Sequence, residues 1–237
     1  MSAATAAPES HRDRRWIAVF VAIIVVAAIV SYGSALFIWY ATHRHYYDSA
    51  QLSILVAVRE TAALAVLWFA ASRYLHASPA DFGFRYPRFR EILLGVVIAV
   101  VFYAIVSRLI VAILPNRRPD LIYGAIVHGA LPWRLALLFF IGIYSPIVQE
   151  VVFRGLLLTS LVRPLGVPAA VAVSSAIFGV IHAGAGLASV VDTFAVGIVL
   201  SVLYLRFRSL TAPIAAHIAT NFVATAAYIV LLGHAGR

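Results

Sequence analysis

Three residue pairs in this chain have types and spacing that could do chemistry: Glu150 with Arg154, Phe178 with His182, and His217 with Asn221. Each pair is separated by four positions, so each presents one face of a helix. Gln149 directly precedes Glu150, and neighbouring helical residues point about 100° apart. A carboxylate, two imidazoles and an amide gathered in a water-accessible cleft suit hydrolysis. Carboxylate and imidazole can hold and deprotonate a water, while imidazole and amide donate hydrogen bonds to an oxyanion. The same groups could instead hold a divalent metal such as zinc, with Glu150, His182 and His217 as ligands.

The elements that must position these groups are membrane helices. Of 237 residues, 63% are hydrophobic and 11% charged, with a mean hydropathy of +0.98. A soluble domain carries about a quarter charged residues. Several apolar runs reach the roughly 20 residues that span a bilayer as a helix. The expected fold is therefore an all-α polytopic membrane protein with seven spans, near 16–41, 50–72, 91–114, 134–163, 168–183, 187–205 and 209–232. Spans four to seven carry the reactive groups and form the bundle around them. Ionisable groups inside such spans are costly and sit on bundle interiors, which makes Glu150 and Arg154 candidates for a functional site.

Domain organisation follows: a disordered cytoplasmic amino terminus (1–15), an amino-terminal three-helix membrane region (16–133), a catalytic membrane region (134–232) and a short tail (233–237). All 18 basic residues are Arg, for a net charge of +9, and there is no Cys. No disulfide, thiol nucleophile or thiolate metal site can therefore form. With a cytoplasmic amino terminus, ten Arg fall on inner loops and five outside, which sets the carboxyl terminus outside. Because the Arg residues are spread over short loops, they signal topology; the partners expected are the bilayer and a peptide, with no nucleic acid. An all-Arg basic content is associated with GC-rich bacterial genomes, so a bacterial inner membrane is the expected location.

Span four contains Gly142 and Pro146, and a kink is expected one turn before Gln149. The turn Arg163 to Pro168 has its centre between 165 and 166, equidistant from Gln149 and His182. A hairpin folded there brings those residues to one depth. His217 and Asn221 begin about 13–20 Å inward from Arg208 at the helical rise, so three helices bring polar groups to a similar level. Arg59–Glu60 reads as a local pair packed against other helices, Arg108 as snorkelling or paired, and Asp192 as a cap or loop contact. Trp39, Tyr40, Tyr46, Tyr47 and Trp133 suit an outer interfacial belt.

On these motifs the region 134–232 resembles the CPBP family of intramembrane endopeptidases, the CAAX proteases and bacteriocin-processing enzymes also called Abi. That family's pattern is Glu-Glu-x-x-x-Arg, Phe-x-x-x-His and His-x-x-x-Asn or Asp. Here it reads Gln149-Glu150-x-x-x-Arg154, Phe178-x-x-x-His182 and His217-x-x-x-Asn221, with Ser209 to Ile214 also family-like. The resemblance implies a buried site in which position 149 is the base and His182 holds water. It implies that His217 and Asn221 stabilise the oxyanion, with Arg154 and Phe178 in support. The implied substrate is a membrane-associated peptide, prenylated or a leader peptide, and the family is often labelled metalloprotease.

The departure is at the base, because Gln149 has the shape of Glu but cannot take a proton. Three explanations remain open: a substitution introduced into an active sequence, a natural pseudo-enzyme, or Glu150 in the vacant role. The expectation is a protease impaired in this copy. Its rivals are a non-catalytic scaffold of the same fold, for immunity or regulation, and a transporter using Arg59, Glu60 and the histidines. Neither Gly-x-Ser-Gly nor His-Glu-x-x-His occurs, which argues against serine and zincin sites.

Overall fold

The computed structural model describes residues 9–42, 48–86, 88–114, 125–126 and 128–235. Among these the chain is helical with no strand, as its composition demands, since an unpaired sheet edge in lipid leaves backbone groups unsatisfied. Seven long helices follow in order among the described residues: α1 (Glu9–Thr42), α2 (Ser49–Leu75), α3 (89–113), α4 (Leu131–Leu165), α5 (Val167–Val180), α6 (Leu187–Phe207) and α7 (Thr211–Ala235). Five of them, α1 to α4 and α6, contain segments long and apolar enough to cross a membrane, and α5 is a shorter apolar helix. The protein is an all-α polytopic membrane protein.

α1 begins at Glu9, so 9–15, expected to be disordered, extends the first span as helix. Its Glu and Arg residues are good helix formers and can continue a helix into water. Trp39 lies in α1, whereas Tyr46 and Tyr47 fall outside the described residues; Tyr40 and Trp133 are exposed, as an interfacial belt requires.

α5 packs along α6, α7 along α3, and α1 along α2. Glycines let these axes approach: a Cβ on Gly95 would lie 2.8 Å from the Ala212 carbonyl oxygen, and one on Gly179 2.7 Å from that of Val190. Small residues at such crossings are the usual basis of helix association in lipid. The main core gathers Trp16, Phe20, Leu67, Phe82, Phe153, Leu157 and Phe178 from α1, α2, α4, α5 and the loop before α3. That loop, 77–90 in the sequence, is anchored in this core. Its 3-10 turn Pro79–Phe82 buries Phe82, stacked on Trp16 with ring centroids 5.0 Å apart.

α4 is the axis of the molecule and is not a regular α-helix. It widens into π-helix at Phe140–Tyr144 and again at Val151–Leu158, on both sides of Gln149 and Glu150. Such widenings concentrate at functional sites. The first of them contains Gly142 and ends two residues before Pro146, the stretch where a kink is expected. The hairpin turns at Gly166, whose φ of 76° is a left-handed backbone open to glycine.

Candidate active site

α4 contributes two adjacent side chains that diverge. Glu150 is fully buried, and its Oε1 accepts Arg154 Nη1 at 2.9 Å and His217 Nδ1 at 2.8 Å. Arg154, equally buried, sends Nη2 to the Gly197 carbonyl at 3.0 Å and lays its guanidinium 4.7 Å over the Phe178 ring. Buried charge persists only when paired and hydrogen-bonded, and this pair ties α4 to α5, α6 and α7. Gln149 turns toward α2. Its Nε2 donates to Ser145 Oγ at 2.7 Å, and Ser145 Oγ donates to Glu60 Oε1 at 2.8 Å.

His182 is not inside the fifth helix, which was expected to run to 183. α5 ends at Val180, and His182 occupies the turn that follows, before the 3-10 turn Ala183–Ala185. Its Nδ1 lies 2.8 Å from the Phe178 carbonyl, one of the last carbonyls of α5 that has no helical partner. A carbonyl only accepts, so Nδ1 carries the proton and Nε2 keeps its lone pair. Fourteen residues rise about 21 Å, short of the roughly 30 Å hydrocarbon core. A helix that short does not cross the core alone, and irregular backbone that completes a crossing persists only against protein or a water-lined cavity.

His217 is oriented the same way by a different partner. Its Nδ1 donates to the Glu150 carboxylate, which leaves Nε2 as its open nitrogen. Phe178 separates the two imidazoles, with ring centroids 5.0 Å from His182 and 5.7 Å from His217, both edge-on. The motif phenylalanine is therefore the spacer of the site, held by a T-shaped contact with Phe153 at 5.0 Å between centroids.

Asn221 is explained by α4. In the π register Ser145 N–H reaches back five residues to the Phe140 carbonyl. Pro146, next in that register, has no N–H for Ile141. Asn221 Nδ2 supplies the missing bond, donating to the Ile141 carbonyl at 2.8 Å and keeping one N–H to spare.

The structure thus links Glu150, Arg154, Phe178 and His217 directly. His182 joins them through Phe178, and Asn221 bonds Ile141 in the π-helical stretch before Gln149. It also adds two residues outside the sequence motifs, Glu60 and Ser145. Arg59–Glu60 is indeed a local pair, at 2.7 Å, yet Glu60 is only 4% exposed and faces α4. His182 lies within electrostatic reach of Arg59, Glu60 and His217. Asp192, expected to cap a helix or touch a loop, sits in the second turn of α6 beside Ser107 of α3. Arg108 is exposed, in keeping with snorkelling.

Glu150, His182 and His217 do not fit a metal ion as they are arranged. The Glu150 oxygen nearest His217 already holds a guanidinium, whose charge opposes a cation beside it. Among the described residues no group of three His, Asp or Glu has the geometry of a metal site.

Residues 131–223 match the family model described as Rce1-like, type II CAAX prenyl endopeptidase Rce1-like. No curated protein and no solved structure matches the chain. The matched region runs from the first residue of α4 to two residues past Asn221, and so contains all three motif pairs with the helices that hold them. Over that region, which is less than half of the chain, the sequence is similar to the CAAX-type membrane proteases that this model describes.

Proposed function

We propose that this protein is an intramembrane endopeptidase that hydrolyses a peptide bond of a membrane-associated substrate, and that the amide at position 149 makes this copy a slow one. The observation that carries the reading is the matched pair of imidazoles. Each is anchored through Nδ1 and keeps Nε2 open, and both rings make T-shaped contacts with one phenylalanine. Nε2 of His182 can accept a hydrogen bond from the attacking water and hold it in place. Nε2 of His217 donates to the oxyanion once that ring carries its second proton, whose charge Glu150 offsets. The spare N–H of Asn221 adds a second donor. What is lacking beside the water is a carboxylate at position 149.

The Arg distribution supports an amino terminus in the cytoplasm, and the all-Arg basic content supports a bacterial inner membrane. The prenyl group is a proposal carried by the family name alone, and is tested by comparing prenylated and unprenylated forms of one peptide.

Gln149→Glu should raise cleavage of a peptide library at least tenfold, read by mass spectrometry on the purified protein in detergent, with His182→Ala flat in both backgrounds. Cleavage by neither the parent nor Gln149→Glu would favour the second reading, a non-catalytic scaffold of the same fold, for which the amide is the supporting observation. Because the Glu150 trio does not suit a cation, strong chelators should change the Gln149→Glu rate less than twofold. A tenfold loss restored by zinc would argue the opposite.

A further inference from the structure

Glu60 has no part in the matched region, yet it is the buried carboxylate that reaches position 149. It lies in the middle of α2 at 4% exposure, and its Oε1 accepts Arg59 Nη2 at 2.7 Å and Ser145 Oγ at 2.8 Å. A carboxylate so placed in a membrane bundle is costly and needs a reason to persist. The hydrogen-bond inventory of Ser145 supplies one. A hydroxyl has one proton and two lone pairs. Ser145 spends its proton on Glu60, so it can only accept from residue 149, and an amide N–H is what it receives, at 2.7 Å. With Glu at position 149 the single hydroxyl proton would have to serve two carboxylates. Gln149 and Glu60 are therefore complementary, and the site keeps one carboxylate on this network, moved from α4 to α2.

We infer that Glu60, acting through Ser145, is the proton acceptor of this chain in place of the amide at 149; the assignment rests on the peptidase reading above. The second lone pair of Ser145 Oγ accepts a proton from the attacking water as Ser145 passes its own to Glu60 Oε1. The resulting hydroxide adds to the scissile carbonyl carbon, and Glu60 is left as the neutral acid. When the carbon–nitrogen bond breaks, the proton returns from Glu60 through Ser145 to the departing amine, which restores both groups. Arg59 balances the Glu60 charge before and after the step. Ser145 is the relay that meets the water; Glu60 is the reservoir behind it. The extra hydroxyl in the path accounts for slow turnover.

The test is a two-by-two set at positions 60 and 149 on the full chain in detergent. The probe is a proteome-derived peptide library, prenylated and unprenylated, and cleavage is read by mass spectrometry. The parent should cleave slowly and Glu60→Gln should lower that rate at least tenfold, as should Ser145→Ala. In the Gln149→Glu background the cost of Glu60→Gln should fall below threefold, because the nearer carboxylate takes the proton directly. Activity in that double variant also shows that a chain carrying Glu60→Gln folds. Parent cleavage unchanged by Glu60→Gln overturns the inference. So does an equal loss in both backgrounds, the mark of a structural role, and so does cleavage by Gln149→Glu with none by the parent. No cleavage by any of the four proteins overturns the peptidase reading itself.

Discussion

At the scale of single residues, the site depends on how few protons must satisfy how many acceptors. Glu150 offers one oxygen to both Arg154 and His217, while Arg154 divides its two terminal nitrogens between that oxygen and the Gly197 carbonyl. A planar fork can serve two acceptors at fixed angles; an ammonium on a flexible stem cannot hold the same pair while stacking on Phe178. Arg154→Lys should thus fail as a conservative change. Loss of one partner of a buried pair costs about 3–5 kcal/mol, and thermal unfolding in detergent should place Arg154→Lys near Arg154→Met, well below the parent. A melting temperature for Arg154→Lys equal to the parent's would show that charge alone matters there.

At the scale of elements, the departures from regular helix organise the site. Pro146 and the π register leave the Ile141 carbonyl without a backbone donor, and Asn221 of α7 fills it. Asn221→Leu should therefore destabilise the protein by about 1–3 kcal/mol, the cost of an orphaned buried polar group. In a Pro146→Ala background the new N–H at 146 can serve Ile141, so the same change should cost less than half as much. The double-mutant cycle in thermal unfolding measures that coupling. Additive effects would mean that Asn221 does not stand in for the proline's missing donor. α5 shows the same economy, since the carbonyl exposed by its early end is the one that orients His182.

At the scale of the whole molecule, the loop before α3 joins the amino-terminal helices to the site-bearing ones. Gly155, directly after Arg154, allows this, because a Cβ there would lie 2.9 Å from the Phe82 carbonyl oxygen. The Gly83 carbonyl beyond it accepts Leu210 N–H at 3.0 Å, at the start of α7. Gly155→Ala should push Phe82 off Trp16 at a cost of about 1–3 kcal/mol, as overpacking does. Limited proteolysis should then cut near 84–86 faster than in the parent; an unchanged digestion pattern would mean that the loop yields without leaving its seat.

What the sequence by itself determined is whatever repeats at helical spacing or follows from composition. Hydropathy marked the helices, the interval of four paired Glu150 with Arg154 and Phe178 with His182, and Pro146 marked the break in α4. Three motifs in order marked the resemblance to a protease family over 131–223. The tertiary structure alone decided which groups meet from different helices. Glu60 and Ser145 are 85 residues apart, Asn221 and Ile141 are 80, and no periodicity links either pair. The reason is physical: a local interval is set by one helix's own geometry, whereas contacts between helices depend on how their faces rotate against one another in the bundle. That rotation turned Arg59–Glu60 from a local pair into the edge of the site, and set a buried carboxylate one hydroxyl away from the glutamine where a carboxylate was expected.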